Sequence, residues 1–187
     1  MPQSRQVTAF ALVAVGAALL AASMAGELRA STRGADADVV KVLASLGGDW
    51  SGSMTITRPG MAAMELPATE TIVAIGDHWT ASDLHCELMG RPFHAHFVLG
   101  WDSVDKQLVG TRVDSLSPQL TAMEGVYDGE EKAVRMRWVT RIPGRTETVP
   151  GRYDLKVRGD TYVMRFYEGE GASEVPTMKI EMERKVE

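Results

Sequence analysis

Three histidines and a glutamate are the residues whose types and spacing best suit chemistry. His85 and Glu87 precede the segment Met89–Pro92, and His94 and His96 follow it. If that segment is a hairpin turn, Glu87 faces His94 and His85 faces His96, and facing Cβ atoms lie about 4.5–5.5 Å apart. Three imidazoles and a carboxylate suit zinc. The cluster is therefore a candidate zinc site, in a metal-binding protein or a metal-dependent enzyme.

The other face of the same hairpin is apolar, which favours a simpler interpretation. Successive side chains of a strand point to opposite faces, so the apolar face turns inward and the histidines turn to solvent. A solvated patch is thus the alternative to a metal site, and a shift of one residue in register would abolish the pairing. The predicted inward side chains are Leu84, Cys86, Leu88, Phe93, Phe97 and Leu99.

Methionine is frequent among the side chains predicted to line the interior. It is flexible and polarizable, so it suits surfaces that accept varied apolar ligands, and a barrel of about ten strands can enclose a small molecule. Ordinary core filling explains the same residues, as in a structural envelope protein with a solid barrel. The predicted lining residues are Met54, Ile56, Met136, Trp138, Met164, Phe166, Met178, Ile180 and Met182.

These side chains need a scaffold, and the spacing of apolar residues indicates one. Apolar residues recur at helical spacing over residues 35–46, and Gly47-Gly48 ends that helix. After Trp50 the period changes to two, and short strands follow at the regular spacing of a sandwich or barrel. The predicted strands are Trp50–Thr57, Thr69–Ile75, Trp79–Leu88, Phe93–Trp101, Gln107–Asp114, Gln119–Asp128, Lys132–Ile142, Thr146–Val157, Thr161–Glu168 and Thr177–Val186.

The last strand favours a closed barrel over a sandwich. Its inward row ends in a charged residue, Arg184. If the last strand pairs antiparallel with the first, Arg184 lies at the same end as Trp50, and a guanidinium over an indole is worth roughly 0.5–2 kcal/mol. We therefore predict a closed, up-and-down antiparallel β-barrel of about ten strands with a short N-terminal helix, in which Trp50 and Arg184 close one end.

The N-terminal segment has the pattern of a secretory signal peptide. Arg5 precedes an apolar run from Val7 to Leu20, and small residues at Ser23 and Ala25 suit a cleavage site. We expect residues 1–25 to be removed, which predicts a periplasmic or secreted protein with no stable membrane insertion after cleavage. An uncleaved anchor is the alternative, because roughly 17–25 apolar residues can span a bilayer.

The rest of the chain divides into a flexible leader over residues 26–34 and the barrel domain over residues 35–187. The net charge of -5 is mild and unclustered, so we expect no nucleic-acid partner. Cys86 is the only cysteine, which rules out an intrachain disulfide. A Gly-x-Ser-x-Gly nucleophile motif is absent from the sequence, and we lean towards a protein that is not an enzyme.

Several segments, taken in order along the chain, carry a resemblance to known proteins. They are Leu46–Gly52, Met89–Phe93, Leu99–Asp102, Asp114-Ser115, Glu124–Asp128, Phe166–Glu168, Thr177–Ile180 and Arg184-Lys185. Through them the chain is similar to the calycin barrels, such as lipocalins, fatty-acid-binding proteins and nitrobindins, and more closely to the bacterial domain-of-unknown-function family 1579. That resemblance implies a container fold with no established activity. We therefore expect a small apolar molecule as the partner.

Overall fold

The computed structural model describes residues 36–141 and 147–186. The predicted signal peptide and leader lie outside these residues. Residues 36–46 are helical, and a short 3-10 helix covers Gly171–Ser173. No helix in the described part of the chain has the length and apolar character needed to cross a membrane.

Ten strands account for most of the described chain. Each strand pairs antiparallel with its neighbours in sequence, and the tenth pairs with the first, so that the sheet closes on itself. The predicted closed up-and-down barrel is therefore confirmed. The strands are β1 (Gly48–Ile56), β2 (Met64–Ile75), β3 (Trp79–Leu88), β4 (Arg91–Asp102), β5 (Gln107–Asp114), β6 (Ser117–Asp128), β7 (Ala133–Arg141), β8 (Thr148–Arg158), β9 (Thr161–Glu168) and β10 (Val175–Arg184).

The turn between β3 and β4 differs from the predicted one. Met89 and Gly90 alone form the turn, with φ angles of 52° and 76°, as in the two-residue turns that suit twisted hairpins. Proline is common in turns, and Pro92 was therefore predicted to lie in this one, but it lies in β4 opposite Glu87. It is tolerated because β4 pairs with β5 only from Ala95 onward, so no second neighbour needs its missing N–H.

The shorter turn moves the register of the hairpin by two residues. His85 faces His94 rather than His96, and His96 faces Asp83. Because the shift is even, every side chain keeps its predicted face. The prediction of inward and outward faces is therefore right, and the predicted cross-strand partners are wrong.

The helix covers one end of the barrel. Val39, Leu43 and Leu46 are buried at the start of a single core that continues through the inward rows of the strands. Towards the opposite end, inward side chains such as Phe93, Trp138 and Met178 are only partly buried. The α-helix therefore fills the interior at its own end of the barrel.

Candidate functional site

Arg184 and Trp50 lie together at the end that carries the helix. The guanidinium carbon of Arg184 is 4.2 Å from the centre of the Trp50 ring, and the two residues are partners in the β1–β10 ladder. Arg184 Nη2 donates to the carbonyl of Ser45 at 2.6 Å, and Nη1 donates to the carbonyl of Gly47. A cation at the C-terminal end of a helix is favourable, so this contact ties the helix to the barrel.

The indole of Trp50 is also fully engaged. Its Nε1 donates to the carbonyl of Leu46 at 2.8 Å, and its ring meets Tyr162 edge-on at 4.9 Å between centroids. The side chain is completely buried. Together with Arg184, it forms a closed floor, a name we use for Trp50, Arg184 and the helix over them.

A buried carboxyl lies next to this floor, and sequence reasoning missed it. Glu70, opposite Trp50 in β2, is 4% exposed and accepts a hydrogen bond from the Tyr162 hydroxyl. Burial raises the pKa of Glu70 to about 7, although a hydrogen bond from Ser82 opposes this, and the charge of Asp83 adds to the rise. A signal was present, because Glu70 stands in the inward row between Ala68 and Ile72.

The cavity beside Glu70 is too small for an organic ligand. Its volume is about 30 Å³, which suits about one water molecule. Burial also raises the pKa of Tyr153 in its wall, and the charge of Glu70 adds to this rise. The cavity is lined by Leu46, Glu70, Ile72, Thr80, Ser82, Phe97, Leu99, Tyr153, Leu155, Tyr162 and Met164.

A much larger cleft lies where β6 and β7 part. The β6–β7 ladder ends at the pair Glu124 and Arg137, although both strands continue beyond it. Farther along, Gln119 Nε2 donates to the carbonyl of Arg141 at 2.8 Å and bridges the two strands again. The cleft has a volume of about 740 Å³, and its described lining is Gln107, Val109, Gly110, Ala122, Met123, Glu124, Arg137, Trp138, Val139, Pro150, Gly151, Arg152, Gly169, Glu170, Gly171 and Glu174.

Trp138 connects this cleft to the interior of the barrel. It belongs to the inward row of β7, and its ring lies 6.2 Å from Tyr153 and 6.1 Å from Phe166 between centroids. The ring rests on Gly151, where a Cβ atom would come within 2.4 Å of its Cε2. A glycine is thus required at this position for the ring to lie as it does.

The predicted lining residues divide between cavity walls and core. Trp138 lines the large cleft and Met164 lines the small cavity. The remaining seven pack in or against the core: Met54, Ile56, Met136, Phe166, Met178, Ile180 and Met182. Cys86 faces inward as predicted but is only partly buried, and desolvation raises the pKa of its thiol.

The candidate zinc residues are only partly brought together. His85 and His94 meet edge-on with 4.5 Å between ring centroids, whereas His96 Nδ1 lies 2.9 Å from Asp83 Oδ1. His85, Glu87 and His94 line a groove of about 540 Å³ on the outer wall. Among residues 36–141 and 147–186, no three His, Cys, Asp or Glu side chains are placed to hold one metal ion. Zinc binding stays a prediction that elemental analysis tests.

One further sequence pattern occurs in known enzymes but does not lie at a cavity of this protein. Ser103 and Lys106 stand in a Ser-x-x-Lys arrangement, which can supply a nucleophile and its base. Both are exposed in the turn between β4 and β5, and neither lines the cavities described above. We therefore assign them no catalytic role.

Comparison with protein families finds one match over nearly all of the described chain. The profile described as Protein of unknown function (DUF1579) matches residues 37–184. The chain belongs to this family. A search of the curated proteins found no match.

Comparison with solved structures supports the fold at low sequence identity. The crystal structure of Rv2717c from M. tuberculosis is similar, with a TM-score of 0.58 and 12% identity. The match covers 79% of this chain and 98% of that chain. At such identity the likeness shows the shared fold alone, so function must be argued from the cavities of this member of the family.

Proposed function

We propose that this protein is an exported, non-enzymatic binding protein that holds a small hydrophobic or amphipathic molecule in the cleft between β6 and β7. The observation that carries the proposal is the cleft itself. Its volume of about 740 Å³ falls within the roughly 300–1,000 Å³ typical of small-molecule sites. It occurs where two neighbouring strands of the barrel stop pairing, so a ligand can reach inward side chains there.

The lining of the cleft suits an apolar molecule with a polar part. Met123 and Trp138 supply inward apolar surface, and Val139 and Pro150 supply outer apolar surface. Charged side chains of both signs, such as Arg137 and Glu124, also line it. Binding would be driven by removing apolar surface from water, at about 0.8 kcal/mol for each buried CH₂ group.

The closed floor also supports a ligand site in the cleft, because the floor end of the barrel has no room for an organic ligand. Its cavity of about 30 Å³ cannot contain an organic molecule, and Trp50 and Arg184 have their polar groups engaged there. A ligand site in the described part of the barrel is therefore better placed on the side of Trp138 than beneath the helix. The methionines between these two regions serve as packing.

Titration with a series of neutral alcohols tests the proposal. Hexanol, octanol and decanol should bind with affinity rising about fourfold for each added CH₂ group until the cleft is full, as measured by calorimetry. Ala122→Trp, which adds bulk to the exposed lining of the cleft, should weaken decanol binding. Ala62→Trp, exposed and outside the lining, is the matched control. Absence of binding, or affinity independent of chain length, would overturn the proposal.

Export is tested separately. N-terminal sequencing of the protein from a periplasmic extract should give a start near Gly26, after the predicted signal peptide. A chain that retains Met1 and sediments with membranes would instead support the uncleaved anchor.

A further inference from the structure

Arg112 is a charged residue inside the barrel wall. It lies in β5 between Phe97 of β4 and Thr121 of β6, both of which are buried inward side chains. Its own side chain is 22% exposed. Arginine is rarely placed on an inward face unless its guanidinium is paired or has a ligand to bind.

The protein satisfies this guanidinium incompletely. Arg112 Nη2 forms an ion pair with Asp114 Oδ2 at 3.3 Å, and the guanidinium carbon lies 5.9 Å from the centre of the Trp138 ring. Its Nε is buried and has no hydrogen-bond partner within the described residues. A guanidinium carries five N–H donors, so Arg112 retains the capacity to bind an oxygen of another molecule.

We infer that Arg112 binds the head group of the ligand, and that this head group is a single carboxylate on an apolar tail. The inference rests on the proposed function and specifies its ligand class. A planar carboxylate matches two parallel N–H groups of a guanidinium. Arg112 is not itself part of the cleft lining, but Trp138 lies beside Arg112 and also lines the cleft, so a head group at Arg112 and a tail in the cleft would both adjoin this ring.

The charge of the site favours a monoanion. Arg112 supplies one positive charge, and Asp114, whose side chain is 9% exposed, already shares it. A dianionic phosphate would meet stronger repulsion from Asp114 than a monoanion would. The charge of Arg112 also acts on the Tyr153 hydroxyl, where it opposes the rise in the pKa of that group.

A comparison of decanoate with decanol tests the inference. At pH 7.5 the two probes share a tail and differ in charge, and wild-type protein should bind decanoate more tightly. Arg112→Gln should weaken decanoate binding roughly ten- to a hundredfold and leave decanol binding within about threefold. Arg165→Gln, on the outer face of β9, is the matched control and should change neither affinity.

The outcomes separate the inference from the function on which it rests. If decanol binds and Arg112→Gln leaves the preference for decanoate unchanged, the head-group inference fails and the binding function stands. If neither probe binds, both fail. Should Arg112→Gln not fold, Arg112→Lys retains the charge without the planar fork, and an unchanged decanoate affinity in that variant would equally overturn the inference.

Discussion

Two tryptophan–arginine pairs occur among the described residues of the barrel, one near each end, and they differ in how many hydrogen-bond donors of the arginine are satisfied. At the floor, Arg184 lies 4.2 Å from Trp50 and donates to two backbone carbonyls of the helix end. Near the cleft, the guanidinium carbon of Arg112 lies 5.9 Å from the centre of the Trp138 ring, and Arg112 forms an ion pair with Asp114. The same two residue types thus form a completed structural contact in one place and leave hydrogen-bonding capacity in the other.

The difference arises from the segments of the chain that lie next to each arginine. The helix end supplies carbonyl groups that no longer have intrahelical partners, and these satisfy Arg184. The α-helix of residues 36–46 contributes nothing to the described lining of the cleft, and the β6–β7 ladder has already ended there. A guanidinium whose donors are paired adds to stability, and one with an unpaired donor is, under the inference above, the group that a ligand would contact. This contrast predicts opposite responses to mutation.

The largest effect is expected at the floor. Arg184→Ala should lower the free energy of unfolding by about 3–4 kcal/mol, because it removes a cation–π contact and several charge-assisted hydrogen bonds. Arg112→Ala should lower it by less, about 1–2 kcal/mol, since one partly buried ion pair with Asp114 is lost. Urea denaturation followed by circular dichroism measures both.

Lys185→Ala is the control for that comparison. Lys185 is exposed and adjacent to Arg184, so its removal should change stability by less than about 0.5 kcal/mol. Equal denaturation midpoints for Arg184→Ala and Arg112→Ala would show that the two pairs contribute alike and would remove the contrast between them.

The buried carboxyl next to the floor predicts a pH dependence. Burial raises the pKa of Glu70 from 4.5 to about 7 in the folded protein, so the folded state binds the proton more tightly than the unfolded state. The contribution of Glu70 to stability is therefore fully present below about pH 4.5 and is lost as the pH rises towards 7. A pKa rise from 4.5 to about 7 corresponds to roughly 3 kcal/mol of the free energy of unfolding.

Glu70→Gln isolates this contribution. The amide can still accept the Tyr162 hydrogen bond but does not ionise, so the variant should gain stability relative to wild type by up to about 3 kcal/mol between pH 5 and pH 8. Glu65→Gln, exposed near the start of the same strand, should show no such trend. Parallel pH profiles for Glu70→Gln and wild type would mean that Glu70 is ionised throughout.

The smallest effect is expected at the cleft. Gly151→Ala places a Cβ atom against the Trp138 ring, which should cost about 1–3 kcal/mol and shift the fluorescence emission of Trp138 as the ring moves. Gly129→Ala is the control, because a Cβ atom there meets nothing within 4 Å. An unaltered emission spectrum in Gly151→Ala would show that the ring position does not depend on this glycine.

Alternation along the sequence was sufficient to assign faces. It placed Met136 and Ile180 inside, His85 and His94 outside, and Arg184 at the same end as Trp50, as the ladders show. The predicted hairpin register was wrong, because Pro92 was assigned to the turn. Pro92 can lie in β4 because that strand pairs with β5 only from Ala95 onward, which the sequence does not reveal. Glu70 and Arg112 are charged residues in inward rows. The rule that identified Arg184, a charged residue in an inward row, could have identified them too.

The sequence by itself therefore determined the strand periodicity and the faces, because these follow from a repeat of two residues that each strand carries locally, and Arg184 at the end of an inward row added the signal for closure. Only the tertiary structure decided which distant residues meet. Glu70 and Tyr162 are 92 residues apart, and Arg112 reaches Trp138 across strands whose ladder stops partway. Such contacts depend on register and on where pairing ends, and both are set by the packing of the whole barrel rather than by any one strand.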